Sequence, residues 1–251
     1  MRRPMVGHER WQVAARTGQE NNVTNISGGA RARARIWILL VGTFSATCAM
    51  AAGGHHAVDD AAITDPGGCK VETWWTAAHG SDRLLHAGGG CRVGPVELNA
   101  AGEHARAAGD SENSTGLQMK WATEVTPGFS AGLSLAATWQ AAQPRHRTDT
   151  LVTLFTWAVR DDLALHMNLG RDFNQADADQ NRGGVSAEWR AQPNWSVVAE
   201  RYLDSGTHFL RAGVRWAVSE GWSIDLSRAQ RLRGPADSNW TVGATWQFQR
   251  P

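Results

Sequence analysis

From Trp240 to Phe248 apolar residues alternate without a break with small or polar ones, in the order Trp-Thr-Val-Gly-Ala-Thr-Trp-Gln-Phe. A two-residue period is the mark of a β-strand with one greasy face. Trp240, Val242, Ala244, Trp246 and Phe248 share that face, and Thr241, Gly243, Thr245 and Gln247 share the other. A soluble sandwich strand alternates in the same way, but it rarely sets three large aromatics on one face and stops three residues from the chain end.

The same period recurs from Cys69 onward. Twelve alternating stretches are expected, at about 69–78, 83–93, 96–106, 115–125, 129–140, 149–159, 163–173, 183–191, 194–204, 207–218, 222–231 and 239–248. Their lengths are near the 9–11 residues with which a tilted strand crosses a bilayer. Every second connection is tight: Gly94-Pro95, Thr126-Pro127-Gly128, Arg160-Asp161-Asp162, Gln192-Pro193-Asn194 and Ser219-Glu220-Gly221. Among the intervening ones, 107–114, 141–148 and 174–182 are longer and polar, 232–238 is shorter, and those near Gly80 and Gly206 are short.

The terminal strand resembles the closing strand of bacterial outer-membrane β-barrels, which typically end on an aromatic, most often Phe, read by the barrel-assembly machinery. Here Gln249-Arg250-Pro251 follow Phe248. The resemblance implies an all-β, antiparallel up-and-down transmembrane barrel of about 12 strands in the outer membrane of a Gram-negative cell. Trp246 and Phe248 would carry the assembly signal, and the partners would be outer-membrane lipids, the assembly machinery and a small-molecule solute. Short turns on one side with longer loops on the other fit that architecture, and an even strand count puts both termini on the short-turn side. Trp157, Trp189, Trp195, Trp216, Trp222 and Trp246, with Phe129 and Phe248, fall on the apolar face near the tight turns, whereas Trp75, Trp139 and Trp240 fall near the opposite ends. Two such rings match the aromatic girdles at the headgroup levels.

Ahead of the strands, the basic run Arg31 to Arg35 precedes the apolar stretch Ile36 to Met50 and the small-x-small site Ala49-Met50-Ala51. That order reads as a secretory signal peptide, too short for a spanning helix. The division expected is 1–51 extension and signal peptide, 52–68 polar segment and 69–251 barrel. Beyond Arg35 acidic residues outnumber basic ones, so a strong nucleic-acid surface is not expected.

The polar strand faces point inward in a membrane barrel, which makes Lys70, Glu72, Glu97, Glu103, Lys120, Glu124, Glu188, Arg190, Glu200, Arg211, Arg215 and Asp225 the charged lining of the lumen. Arg190, Arg211 and Arg215 lie late in the chain while Glu97, Glu103 and Glu124 lie early, so two walls of opposite charge and a transverse field are expected. The same charges could instead pair and close the lumen. Cys69 and Cys91 are equally far from a turn at Gly80 and share outward parity, so an exported chain should join them in a cross-strand disulfide.

No enzyme motif stands out. His104 and His208 have outward parity without a nucleophile arrangement, and no phosphate loop, zinc spacing or EF-hand is present. The aspartates of 172–179 could catch calcium or simply be solvated. No cofactor is expected, with one conditional exception. If processing exposes Gly53-Gly54-His55-His56, the free amine, two amides and an imidazole could enclose Cu(II) or Ni(II) in a square plane; otherwise His55 and His56 belong to a polar tail. The function expected is a porin-like channel or transporter for small polar solutes. The alternatives are a non-conducting structural or adhesive barrel and a soluble periplasmic β-sandwich binding module.

Overall fold

The computed structural model describes residues 54–78, 82–107, 109–141 and 145–250. The leader, Gly53 and the turn at Gly80 therefore lie outside the described residues. Twelve strands follow one another: β1 (Gly68–Ala77), β2 (Arg83–Val93), β3 (Val96–Ala107), β4 (Asp110–Thr126), β5 (Phe129–Gln140), β6 (His146–Arg160), β7 (Leu163–Asn174), β8 (Gln180–Gln192), β9 (Trp195–Asp204), β10 (Thr207–Ser219), β11 (Trp222–Arg233) and β12 (Asn239–Gln249). Each pairs antiparallel with its sequence neighbours, and β1 closes the barrel against β12 from Gly68↔Gln249 to Ala77↔Trp240. Closure leaves no sheet edge, which is the condition for a β-structure to cross a lipid bilayer.

The two faces differ as such a barrel requires. Outward residues include Leu85, Leu117, Leu169, Val185 and Leu210, each at least half exposed, an arrangement stable only where lipid replaces water. Inward residues are polar and buried, among them Glu97, Lys120, Glu200, Arg215 and Asp225. Aromatic pairs stack at the tight-turn end: Trp195 on Trp216 at 5.8 Å, Trp222 on Trp246 at 5.5 Å and Trp246 on Phe248 at 4.5 Å. Trp121, whose place in this ring the sequence did not suggest, is exposed there too, because the register sets it opposite Val96, the first residue of β3.

Strand boundaries follow the alternation closely, with one systematic difference. β4, β6 and β8 start at Asp110, His146 and Gln180, so the loops expected at 107–114, 141–148 and 174–182 are shorter than they read. Asp110 to Ser114 pair with Ala107 to Glu103 in register although both sides are polar. Above the bilayer the ladder needs only its backbone hydrogen bonds, so apolar alternation reports the lipid-facing part of a strand and not its full length. The tight turns are two residues long, and Gly94, Gly128 and Gly221 take positive φ there, a conformation that Gly adopts without strain. Cys69 and Cys91 face each other in the β1–β2 register and form a disulfide.

Candidate functional site in the barrel lumen

Residues 54–67 do not trail away from the barrel. They run inside it, and inward side chains of eight strands hold them. Near β1, the Thr64 N–H donates to Glu97 Oε2 at 2.8 Å, and Arg92 donates to the Thr64 carbonyl at 3.2 Å. Further in, the Ala61 N–H donates to Thr156 Oγ1 at 2.8 Å. Lys120 reaches Asp59 at 2.8 Å and Asp60 at 3.1 Å. The Asn168 amide brackets the Asp59 backbone, donating to its carbonyl at 2.8 Å and accepting from its N–H at 2.7 Å. Glu200 accepts the N–H groups of Ala57 and Val58 at 3.3 and 3.0 Å, and Arg211 donates to the His55 carbonyl at 2.6 Å. A lone extended segment cannot satisfy its own backbone, so these side chains replace the ladder that a sheet would supply.

Val58 anchors the segment. It is fully buried against Tyr202, Phe209 and Ala229, an apolar cluster inside a largely polar lumen. His55 is stacked on His56 at 4.6 Å, and its Nε2 is 2.7 Å from Ser227 Oγ. Burial, then the neighbouring His56, Arg211 and Arg215, pull the His55 pKa down to about 2, so the ring is neutral where it sits. Burial alone would raise the Asp60 carboxyl, but the Lys120 ammonium outweighs it and holds Asp60 below the usual carboxylate range.

The expected pair of oppositely charged walls is not what the charges build. Arg211 pairs with Glu200 at 2.9 Å and Arg215 with Asp225 at 2.7 Å, both across adjacent strands. Glu97 takes Lys70 at 3.0 Å, and Glu103 takes His86 at 2.9 Å. A buried charge is stable only with a counter-charge at hydrogen-bond distance, so short pairs replace a long-range field. Glu188 is buried, Glu72 and Arg190 are half-buried, and Glu124 sits exposed at the rim, accepting the Gly128 N–H at 2.9 Å. Among the described residues no group of three or more His, Cys, Asp or Glu is disposed to hold a metal. The candidate calcium loop is likewise committed elsewhere: Asp172 accepts from Thr150 and Arg182, Asp177 from Arg147 and Asp179 from Arg171. His104 pairs with Asn113, and His208 lies beside Arg201.

Beside the segment the lumen keeps a cavity of about 400 Å³. His56, Ala57 and Asp59 form part of its lining, which extends to Glu103, Ser114, Arg182 and Asp204 near the longer-loop end. Small residues make room for it: Gly88, Ala101, Gly116 and Ala136 all line it.

No curated protein matches the chain in sequence. Among solved structures it is similar to the KdgM porin, with a TM-score of 0.60 at 11% identity over 72% of this chain and 99% of that one. The NanC porin is similar too, with a TM-score of 0.52 at 7% identity over 71% and 98% of the two chains. At such identities the likeness is one of fold: the architecture is that of the outer-membrane porin barrels. A family model matches residues 40–248, which span the segment and the barrel up to Phe248, and the chain therefore belongs to the family described as uncharacterised conserved protein UCP029691.

Proposed function

We propose that this protein is an outer-membrane channel or transporter for small polar solutes in which residues 54–67 form a resident plug that controls passage. In this reading residues 1–51 are a leader removed on export, 52–68 hold the plug and 69–251 the barrel that the assembly machinery folds into the lipid. Catalysis has no part in it.

The observation that carries the reading is the plug's position across a closed barrel whose lumen stays polar beside it. A lumen filled only for strength could be packed with strand side chains, as in eight-stranded barrels. Twelve strands enclose more space, and here a piece of chain that belongs to no strand occupies part of it. The fold likeness to porins supports the same direction. One of these, the KdgM porin, is known in complex with oligogalacturonate, a polyanion.

Planar-bilayer recording of the purified full chain tests the proposal. With the plug docked, conductance should be small; Val58→Asp, which places a charge in the apolar cluster, should raise it several-fold in discrete steps. A folded Val58→Asp barrel that conducts no more than background would support the non-conducting structural reading instead.

A further inference from the structure

The cavity beside the plug is walled in part by carboxylates: Asp59, Glu72, Glu103 and Asp204 all line it. Glu72 Oε2 and Asn99 Oδ1 are buried in its wall without a partner. His86 is 7% exposed, and its Nδ1 lies 2.9 Å from Glu103 Oε1. Its Nε2 is buried and without a hydrogen-bond partner as well. Cations on the lining are already committed. Lys70 is held by Glu97 at 3.0 Å, and Arg182 by Asp172 and Asp204 at 3.3 and 3.0 Å. Lys120 is shared by Asp59 and Asp60, and Lys70 feels the charges of both Glu72 and Glu97, so carboxylates outnumber cations around the cavity, with Glu72 and Glu103 in its wall. Trp74 lies flat on His86, the ring centroids 3.4 Å apart, and adds an apolar wall beside them.

We propose that this vestibule is a binding site for a compact organic ammonium ion, with Glu72 and Glu103 receiving its charge and Trp74 flanking its body. An ammonium brings positive charge with three donors, which matches surroundings richer in carboxylates than in cations; a carboxylate or phosphate would add like charge to them. A cation beside an indole gains further where water is excluded. The volume, about 400 Å³, is within the range of about 300–1,000 Å³ of small-molecule sites. The inference rests on the reading of this lumen as a solute path and names the class of solute that would use it. A polyanion such as oligogalacturonate is disfavoured here by the same charges.

Isothermal titration calorimetry on the detergent-folded full chain near neutral pH tests it with three probes of one shape: tyramine, its neutral alcohol analogue tyrosol, and the anion 4-hydroxyphenylacetate. Tyramine should bind, tyrosol should bind at least tenfold more weakly, and the anion should give no binding heat. Glu72→Gln, which keeps shape and removes charge, should weaken tyramine tenfold or more, whereas Glu124→Gln at the rim should leave it unchanged. Heat-modifiable gel mobility confirms that each variant is folded. Equal affinity for amine and anion, no heat from any probe, or an unaffected Glu72→Gln variant overturns the site. Conductance is a separate readout, so loss of binding with conductance intact defeats this inference alone, and binding without conductance defeats only the passage reading.

Discussion

Lys120 and Val58 both keep the lumen occupied, and they do it by different physics. Lys120 balances two carboxylates of the plug, Asp59 and Asp60, from a buried position on β4. Replacing it with Met would leave negative charge without a counter-ion, a change that costs about 3–5 kcal/mol where a buried pair is broken. The expected result is a barrel that still folds but whose residues 54–67 become cleavable by added protease, read by mass spectrometry of the fragments. Arg211 and Arg215 behave differently from what their place in the sequence suggested. Each lies beside a carboxylate on the next strand, so Arg211→Glu with Arg215→Glu would set like charges together at Glu200 and Asp225. The double variant should release the plug and lower thermal stability; a simple shift in ion selectivity with the plug still docked would contradict the pairing.

At the scale of the element, docking of the plug should depend on pH with a definite sign. Released into water, His55 titrates near its ordinary value of 6.5, whereas docked it holds out to about 2. The released form therefore binds a proton that the docked form refuses. Docking is at full strength above about pH 6.5 and weakens as pH falls below it, by about 1.4 kcal/mol per unit. Asp60, with its pKa held down in the docked state, adds a loss in the same direction at still lower pH. Acidification from pH 7 to pH 5 should raise conductance or protease access at residues 54–67, and His55→Asn should flatten that response between those values. A second element-scale expectation concerns the first hairpin. The Cys69–Cys91 bond ties β1 to β2 beside the closing seam with β12, and reducing it should cost about 2–4 kcal/mol, seen as a lower unfolding temperature on semi-native gels.

For the whole molecule, the strand pattern was almost fully legible in the sequence, because lipid on one side and polar side chains on the other impose a period of two that no loop imitates. The disulfide was legible for a related reason: positions equally distant from a hairpin turn must face each other. The plug was not. Gly54 to Gly67 have no period, and what seats them is complementarity with Glu97, Lys120, Thr156, Glu200 and Arg211, residues distant along the chain and without any motif. A hint was present in Asp59-Asp60, two acidic residues next to Val58 in a chain with only two lysines, one of which meets them. Charges on the inner faces were visible as a set, but their pairing depends on strand register and on the plug, neither of which alternation reveals.

The plug also imposes an order on assembly. Its partners are on β2, β3, β4, β6, β7, β9, β10 and β11, so its bonds can form only when distant strands have come together around it. Threading it through a finished barrel from the tight-turn end would mean desolvating Asp59, Asp60 and two histidines one after another before any partner is reached. The simpler route is for the strands to curl around a segment already in place, so that the interior forms on its own N-terminal template. A bulky fusion placed just ahead of Gly54 would then do its harm during biogenesis and not afterwards: barrels should accumulate unfolded, while the same fusion beyond Gln249 should leave the yield of folded, heat-modifiable protein nearly unchanged.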